Sequence, residues 1–562
     1  MEKRMLLALA ISFIIFAGFG YIQQRYMTPP PPPQEAKPEE QAAVAKPTPS
    51  LSPMAPAPAL PPPPIREQQS KEVIVDTPLY RAVFTQQGAR LQSFRLKKFW
   101  DHLPFTQVAN FNLWLFSIDI QKYKKVGSEI TAPKELVHTG SPDLLPLTLV
   151  WNAASGSVGS EAFYTASQEK LTLAAGDEAQ LTFTTVQPDG VTLVKTYTFK
   201  GNSYQLDLTA TVQNQGGRSL QGNLSLALSD NFSKPQDYGF LGFIWSANKS
   251  RDEIASAGLK EPKMISELDW AALSTGYFMM AMVPPPAEFK TTAMVRDLPG
   301  KMMTATLETP VAALPPGQEL AIPYTLYFGP KDRSILAPLG FGLEKAVDFG
   351  WFQILALPLL YVLKIFYNFL HNYGLAIVVL TFLIRVLFIY PNHKSFKSMQ
   401  DMQKLQPKIA KLREKYKDER EALNKELMGL YRTYKVNPLG GCLPMLLQLP
   451  VFIALYNILG YAIELRHAPF ISTLPFTDIV WLADLSAKDP LLITPIIMGA
   501  TMFVQQKMTP TPGDPAQAKL MLFLPIIFTF FFLNFASGLV LYWLLNNVLA
   551  IIQQYYTNKY LS

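Results

Sequence analysis

Hydrophobic positions follow two different patterns along this 562-residue chain. Five long stretches carry no Asp, Glu, Lys or Arg: residues 5–24, 365–384, 436–463, 490–506 and 520–558. A bilayer core of about 30 Å needs roughly 20 mostly apolar residues at about 1.5 Å each, and soluble core helices seldom run so long uncharged. The pattern predicts an α-helical polytopic membrane core in the C-terminal third and one further span at the start. Residues 351–370 are also apolar enough to cross, but 374–390 follow after only His371, Asn372 and Tyr373. Two crossings there would put the basic loop that follows on the external side. Residues 374–390 are therefore read as the span, and 351–370, with Pro358 and Lys364, as an interfacial amphipathic helix. The 39 residues of 520–558 would make one helix of roughly 58 Å, about twice the hydrocarbon thickness. The turn formers between Asn534 and Gly538 divide it into two short spans, six transmembrane segments in all; one tilted span with an external end is the alternative.

From residue 71 to 330 the apolar residues come in short runs rich in Val, Thr, Phe, Tyr and Leu. Strands are expected at 71–75, 80–84, 171–173, 181–185, 192–198, 204–212 and 224–228. Turn signals such as Gln87-Gly88, Lys200-Gly201-Asn202 and Gln215-Gly216-Gly217 separate them. Strands repeated over about 260 residues predict a large β-sandwich. Residues 29–64 ahead of it hold 15 of the 47 prolines and cannot bury a core, so they predict an extended tether. A ligand for a proline-recognition module is the alternative. The β region contains no GxGxxG, Walker-type loop, HExxH or GxSxG, and its acids lack a paired motif. A binding or spacing domain is expected there, not a hydrolase.

Composition alone conceals this division, since 49% hydrophobic is near a soluble average. One Cys excludes a disulfide framework or a metal centre built from several Cys. Five scattered histidines make a His-based metal site improbable, and no cofactor is expected. The net charge of +7 matters through its location: residues 391–437 hold 12 Lys/Arg against 6 Asp/Glu, an excess of 6, whereas 464–489 hold 2 against 4. Positive-inside bias puts 391–437 in the cytoplasm and 464–489 outside. Lys3 and Arg4 place the N-terminus inside, so residues 25–345 are external and the C-terminus is cytoplasmic. The first run has the layout of a signal peptide, but it is long and Ala17-Gly18-Phe19-Gly20-Tyr21 is a poor cleavage site, which favours an uncleaved anchor.

Within the basic loop, apolar residues recur at Met402, Leu405, Ile409, Leu412 and Tyr416, and again at Leu423, Leu427, Leu430 and Tyr434. Two helices with heptad seams, divided near 417–419, would form an antiparallel hairpin. Its positive charge suits anionic headgroups or ribosomal RNA; a solvated connector with ordinary charge bias is the plain alternative. Arg385 interrupts an apolar span, at roughly 2.5–3.5 kcal/mol if central and less if it snorkels. Thr381 lies one turn earlier on the same face. Gln448 sits inside the third run, Thr494, Thr501 and Gln505 inside the fourth, and Tyr542 and Asn546 inside the last. Each could serve ordinary helix–helix bonding, but together they suggest polar faces meeting in a hydrated groove. The spans contain no Asp or Glu, so a proton relay or cation pathway lacks its usual carboxylates.

Several motifs carry a resemblance. Met-Gln-Lys-Leu-Gln-Pro-Lys-Ile (402–409), Lys-Val-Asn-Pro-Leu-Gly-Gly-Cys-Leu-Pro (435–444), Glu-Leu-Arg-His-Ala-Pro-Phe (464–470) and Ser-Gly-Leu-Val-Leu-Tyr-Trp (537–543) resemble the YidC family of bacterial membrane protein insertases, Gram-negative type. The resemblance runs the whole chain, including the Val-Asp-Phe-Gly-Trp run at 347–351. It implies an N-terminal anchor at 1–24, a linker at 25–70, a periplasmic β-sandwich domain at 71–345, an interfacial helix at 346–371 and an insertase core at 372–562 with a coiled-coil hairpin at 392–437. It implies an inner-membrane insertase and folding chaperone, not an enzyme, that moves nascent transmembrane segments through a hydrophilic groove. The implied partners are nascent membrane proteins, the Sec translocon, the ribosome and targeting factors, and phospholipids. The family's groove arginine falls on Arg385, a polar companion on Thr381, and its aromatic pair on Tyr542 and Trp543; Gln448 is added from its position in the third span. Trp543 stands where a second Tyr is expected, and residues 553–562 lack the basic tail of some relatives. The competing classes are a solute transporter, for which no inverted repeat is visible, and an envelope enzyme, for which the β region lacks a catalytic constellation.

Overall fold

A computed structural model describes residues 71–560 apart from 114–115, 124–131, 154–155, 188–189, 234–238, 417–418, 435, 437–442 and 509–514. The expected anchor, the whole of the linker and the Gly-Gly-Cys motif lie outside the described residues.

Alternation builds the β domain. In Gln205–Asn214 every second side chain is buried, and its neighbours Val191–Lys200 and Glu319–Pro330 pair antiparallel so that Tyr197, Leu208 and Tyr324 lie side by side. These strands belong to a nine-stranded sheet, whose inner face meets two smaller sheets of five and six strands. Phe84 of the five-stranded sheet touches Phe183, Tyr197 and Phe199 at ring distances of 5.7, 5.1 and 6.2 Å. The six-stranded sheet is joined through a buried 2.9 Å bond between the Thr309 and Tyr324 hydroxyls. The opposite face, with Thr182, Thr196, Thr198 and Thr209, is half-exposed. This is a two-layer sandwich with a buried interior and a threonine-rich outer face. All seven expected stretches are strands, with their ends displaced by a few residues. A buried ammonium helps tie the layers: Lys195 donates to the carbonyls of Gly88 (3.3 Å), Ala89 and Leu147 (2.7 Å).

Helices take over after Pro330. They are α1 (Gln353–Leu370), α2 (Tyr373–Leu387), α3 (Ile389–Lys415), α4 (Arg420–Thr433), α5 (Leu443–Tyr461), α6 (Ile493–Met508), α7 (Pro515–Phe532) and α8 (Ser537–Tyr560). Asn372 caps α2 by accepting from the Leu375 N–H at 3.0 Å while donating to the Phe470 carbonyl at 3.1 Å. The 520–558 run does break, at residues 533–536 between α7 and α8. The expected count of six spans is not supported by the described residues, and the first of the six lies outside them. Among the described residues, the one helix long and apolar enough to cross a membrane is Gly350–Leu370, which the sequence pattern places at the interface. The reason is local. α2 has 15 residues and ends at a 60° bend into α3, and α6 has 16 residues, ending one residue past Lys507, about 24 Å in length.

The basic loop forms two helices parted near 417–419, as expected. Met402, Leu405, Ile409 and Leu427 make a small buried cluster, with Leu412, Leu423 and Leu430 against it. Tyr434 departs from the expected seam: it is exposed, and Tyr431 packs in its place.

The β domain and the helices share contacts. Tyr277 donates to the Gly460 carbonyl at 2.9 Å, and Asn457 to that of Phe349 at 2.6 Å. Lys364 of α1 lies 3.6 Å from Asp332 and 2.5 Å from Glu464. Arg466 donates to the carbonyls of Trp100 (2.8 Å) and Asp101 (3.1 Å) and lies over the Phe278 ring at 5.2 Å.

Candidate functional site

Three helices bring polar groups together in an otherwise apolar bundle. Arg385, on the last turn of α2, is half-buried, and its Nη2 donates to the Asn546 carbonyl of α8 at 2.8 Å. An arginine there compensates part of its desolvation by bonding a backbone acceptor. Tyr542, one helical turn before Asn546, is fully buried, and the Gln448 amide of α5 donates to its hydroxyl. Trp543 is the next residue, so it leaves α8 about 100° away from Tyr542. Its ring packs on Phe452 at 4.7 Å and Phe532 at 5.3 Å, one turn along α5 from Gln448. The adjacent aromatics thus meet one face of α5, one by a hydroxyl and the other by packing.

The structure treats the expected site residues unequally. Arg385, Gln448 and Tyr542 are joined through α8. Thr381 is buried one turn from Arg385, but its hydroxyl donates to the Ile377 carbonyl of its own helix at 2.6 Å. Of the polar residues expected on α6, Thr494 donates to Asp489 and forms part of the helix start, and Thr501 donates to the Met498 carbonyl at 2.7 Å. They serve their own helix.

A continuation of the polar face along α8 was missed. Asn547, Gln554 and Thr557 are buried there, and Gln554 donates to the Met508 carbonyl at 2.8 Å. The i, i+7 spacing of Asn547 and Gln554 was its sequence signal. On Arg385 and on α8 several buried polar atoms find no hydrogen-bond partner in the protein: Arg385 Nε, Trp543 Nε1, Asn546 Oδ1 and Asn547 Nδ2. Buried polar atoms are nearly always partnered, so these leave hydrogen-bonding capacity open to other polar groups. Away from these atoms the bundle turns apolar residues outward, among them Phe382 and Leu387 on α2, Ile496 on α6 and Phe523 and Phe530 on α7. Among the described residues no cluster of His, Cys, Asp and Glu could hold a metal ion.

Known proteins match the chain throughout. Residues 365–562 match the family described as 60Kd inner membrane protein, and residues 115–362 match the YidC periplasmic domain. A membrane protein insertase YidC of Geobacter metallireducens is 41% identical over 100% of this chain and 98% of its own length. Another, of Syntrophus aciditrophicus, is 41% identical over 100% of both chains. A crystal structure of an active YidC insertase with its first transmembrane domain resolved covers 87% of this chain and 93% of its own, at 18% identity and a TM-score of 0.35. With two-fifths of its residues shared over full-length relatives, the chain belongs to the YidC family of inner-membrane protein insertases.

Proposed function

We propose that this chain inserts nascent transmembrane segments through a polar groove centred on Arg385 and bordered by Thr381, Gln448, Tyr542 and Trp543. The supporting observation is that Arg385 and Gln448 both bond α8, which with Arg385 carries buried polar atoms without partners, in a bundle whose outward faces are apolar. The hydrophilic flank of a client enters the groove, where the guanidinium attracts its acidic groups and the orphaned donors and acceptors replace water. The apolar part of the client slides along the outer helices into lipid, driven by about 25 cal/mol per Å² of apolar area transferred. No covalent step is involved.

In this reading the protein is multi-pass. The N-terminal anchor and α2, α5, α6, α7 and α8 cross the bilayer, with α1 lying at its outer interface and the α3–α4 hairpin in the cytoplasm. The short helices fit a locally thinned bilayer. The hairpin receives clients from the ribosome, targeting factors or the Sec translocon, and its basic surface contacts phospholipid headgroups. The test is reconstitution of the full chain alone in liposomes with a short Sec-independent client of one or two spans. Insertion above empty liposomes is expected, and Arg385→Ala should lower it. Unchanged insertion by Arg385→Ala would remove the groove as the pathway.

A further inference from the structure

One β-hairpin, Phe105–Leu113 paired with Phe116–Tyr123, joins none of the three large sheets. Its register sorts side chains by chemistry. Asn110 lies opposite Asp119 and Asn112 opposite Ser117 on one face, while Ala109 faces Ile120 and Phe111 faces Ile118 on the other. A shift between Gln107 and Ala109 displaces Val108 from the ladder.

The polar face is anchored through its second strand, while Asn110 and Asn112 of the first stay exposed. Lys488 lies 3.4 Å from Asp119 and donates to the Ser117 hydroxyl at 2.9 Å, and the Asp119 N–H donates to the Pro490 carbonyl at 2.8 Å. A bridge between Lys122 and Ile479 adds the neighbouring hairpin Ile471–Thr473/Val480–Leu482 to the same assembly. The apolar face is covered only in part, with Ala109, Ile118 and Ile120 half-buried. Val108 and Phe111 are 58% and 56% exposed, and Ala109, Ile118 and Ile120 belong to no core among the described residues. A lone two-stranded hairpin is marginal in water, and one with an open apolar face is poorer still.

Position identifies what covers it. Pro490 is three residues before α6, whose outward Ile496, Ile497 and Val504 face lipid in the reading above. The polar contacts therefore fasten the hairpin at the outer mouth of an apolar helix. Phe476, at the tip of the neighbouring hairpin, is fully exposed beside it. We propose that the apolar face of the 105–123 hairpin lies on the outer leaflet of the bilayer, with Phe111 at the boundary between headgroups and acyl chains. Lys122 and Tyr123, exposed at the far end of the ladder, then sit among the headgroups, where ammonium and phenol groups find partners. The inference rests on α5 and α6 crossing the membrane.

Single cysteines test it in the full chain on a Cys442→Ser background, labelled with bimane and reconstituted in phosphatidylethanolamine/phosphatidylglycerol nanodiscs. Phe111→Cys and Val108→Cys probe the apolar face, Asn112→Cys the polar face, and Ile497→Cys the lipid side of α6. Insertion activity of each labelled chain, in matching liposomes, reports whether it is folded. Doxyl lipids are expected to quench the probes at 108, 111 and 497, with iodide quenching at 111 several-fold weaker than at 112. Equal iodide access at 111 and 112 without doxyl quenching at 111, while 497 is quenched, overturns the proposal alone. Loss of doxyl quenching at 497 as well overturns it together with the spanning reading. Shielding of 111 that arises only while a client is inserting assigns the face to client helices and overturns the lipid proposal.

Discussion

Two half-buried ionisable groups give the β domain opposing responses to pH. His138 Nδ1 lies 3.3 Å from the fully buried Asp230 carboxylate, and its backbone N–H donates to the same oxygen at 3.1 Å. Burial alone would lower the imidazole pKa, but the Asp230 hydrogen bond and charge outweigh it and raise the value above 6.5. A raised folded-state pKa contributes stability that is fully present below the unfolded value and is lost as pH rises through the folded one. Lys331 acts in the opposite sense: burial, with help from Arg251, lowers its ammonium from 10.5 to about 7. The unfolded chain binds the extra proton between those values, so this group favours the fold as pH rises. Because the two responses meet near neutrality, the His138 share is isolated by difference. The melting temperature of the wild type should exceed that of His138→Gln most at about pH 6, and the gap should narrow by about pH 8. At this scale Arg385 was legible because a charge within an apolar run is conspicuous. Its acceptor was not, since a backbone carbonyl such as that of Asn546 carries no residue signature. The fate of the Thr381 hydroxyl was equally hidden, because a threonine facing a groove and one bonding its own helix have the same spacing.

Close approach between helices places a sharper demand on side chains than apolar character does. A Cβ on Gly499 of α6 would lie 2.0 Å from the Thr529 hydroxyl of α7, whereas a Cβ on Gly460 of α5 would meet nothing within 4 Å. Gly499→Ala should therefore destabilise the chain by about 1–3 kcal/mol through overpacking. Gly460→Ala should change it by no more than about 1 kcal/mol, in the stabilising direction if helix propensity dominates. Thermal denaturation in detergent micelles compares the two. Among the elements, the break at 533–536 was readable from Asn534, Ser537 and Gly538, and the strands from alternation. The 60° bend after α2 has no proline or glycine to announce it in 385–389. The Phe105–Tyr123 hairpin escaped the strand reading because its apolar face sits outside any core, so its pattern resembles that of a partly polar loop.

Across the whole molecule, one continuous apolar core runs from the β domain through residues 336–349 into α1, α2, α5 and α8. Its sheet order was beyond reach of the sequence. Phe278–Val283 and Gln205–Asn214 flank Glu319–Pro330, and no local pattern encodes pairings so distant in the chain. The cluster between α3 and α4 stands apart, with four buried side chains of its own. Four such residues contribute on the order of 1.5–3 kcal/mol each, against about 1–2 kcal/mol of backbone entropy for every residue they hold in place. This arm is consequently a separate cooperative unit. It should open and reclose many times while the sandwich stays shut. Backbone amides at 402–430 should exchange with deuterated solvent within about minutes, while those at 206–212 remain protected for hours or longer. A protected hairpin would show that the two clusters unfold together. An arm that opens alone can change shape without loosening the helices that hold Arg385.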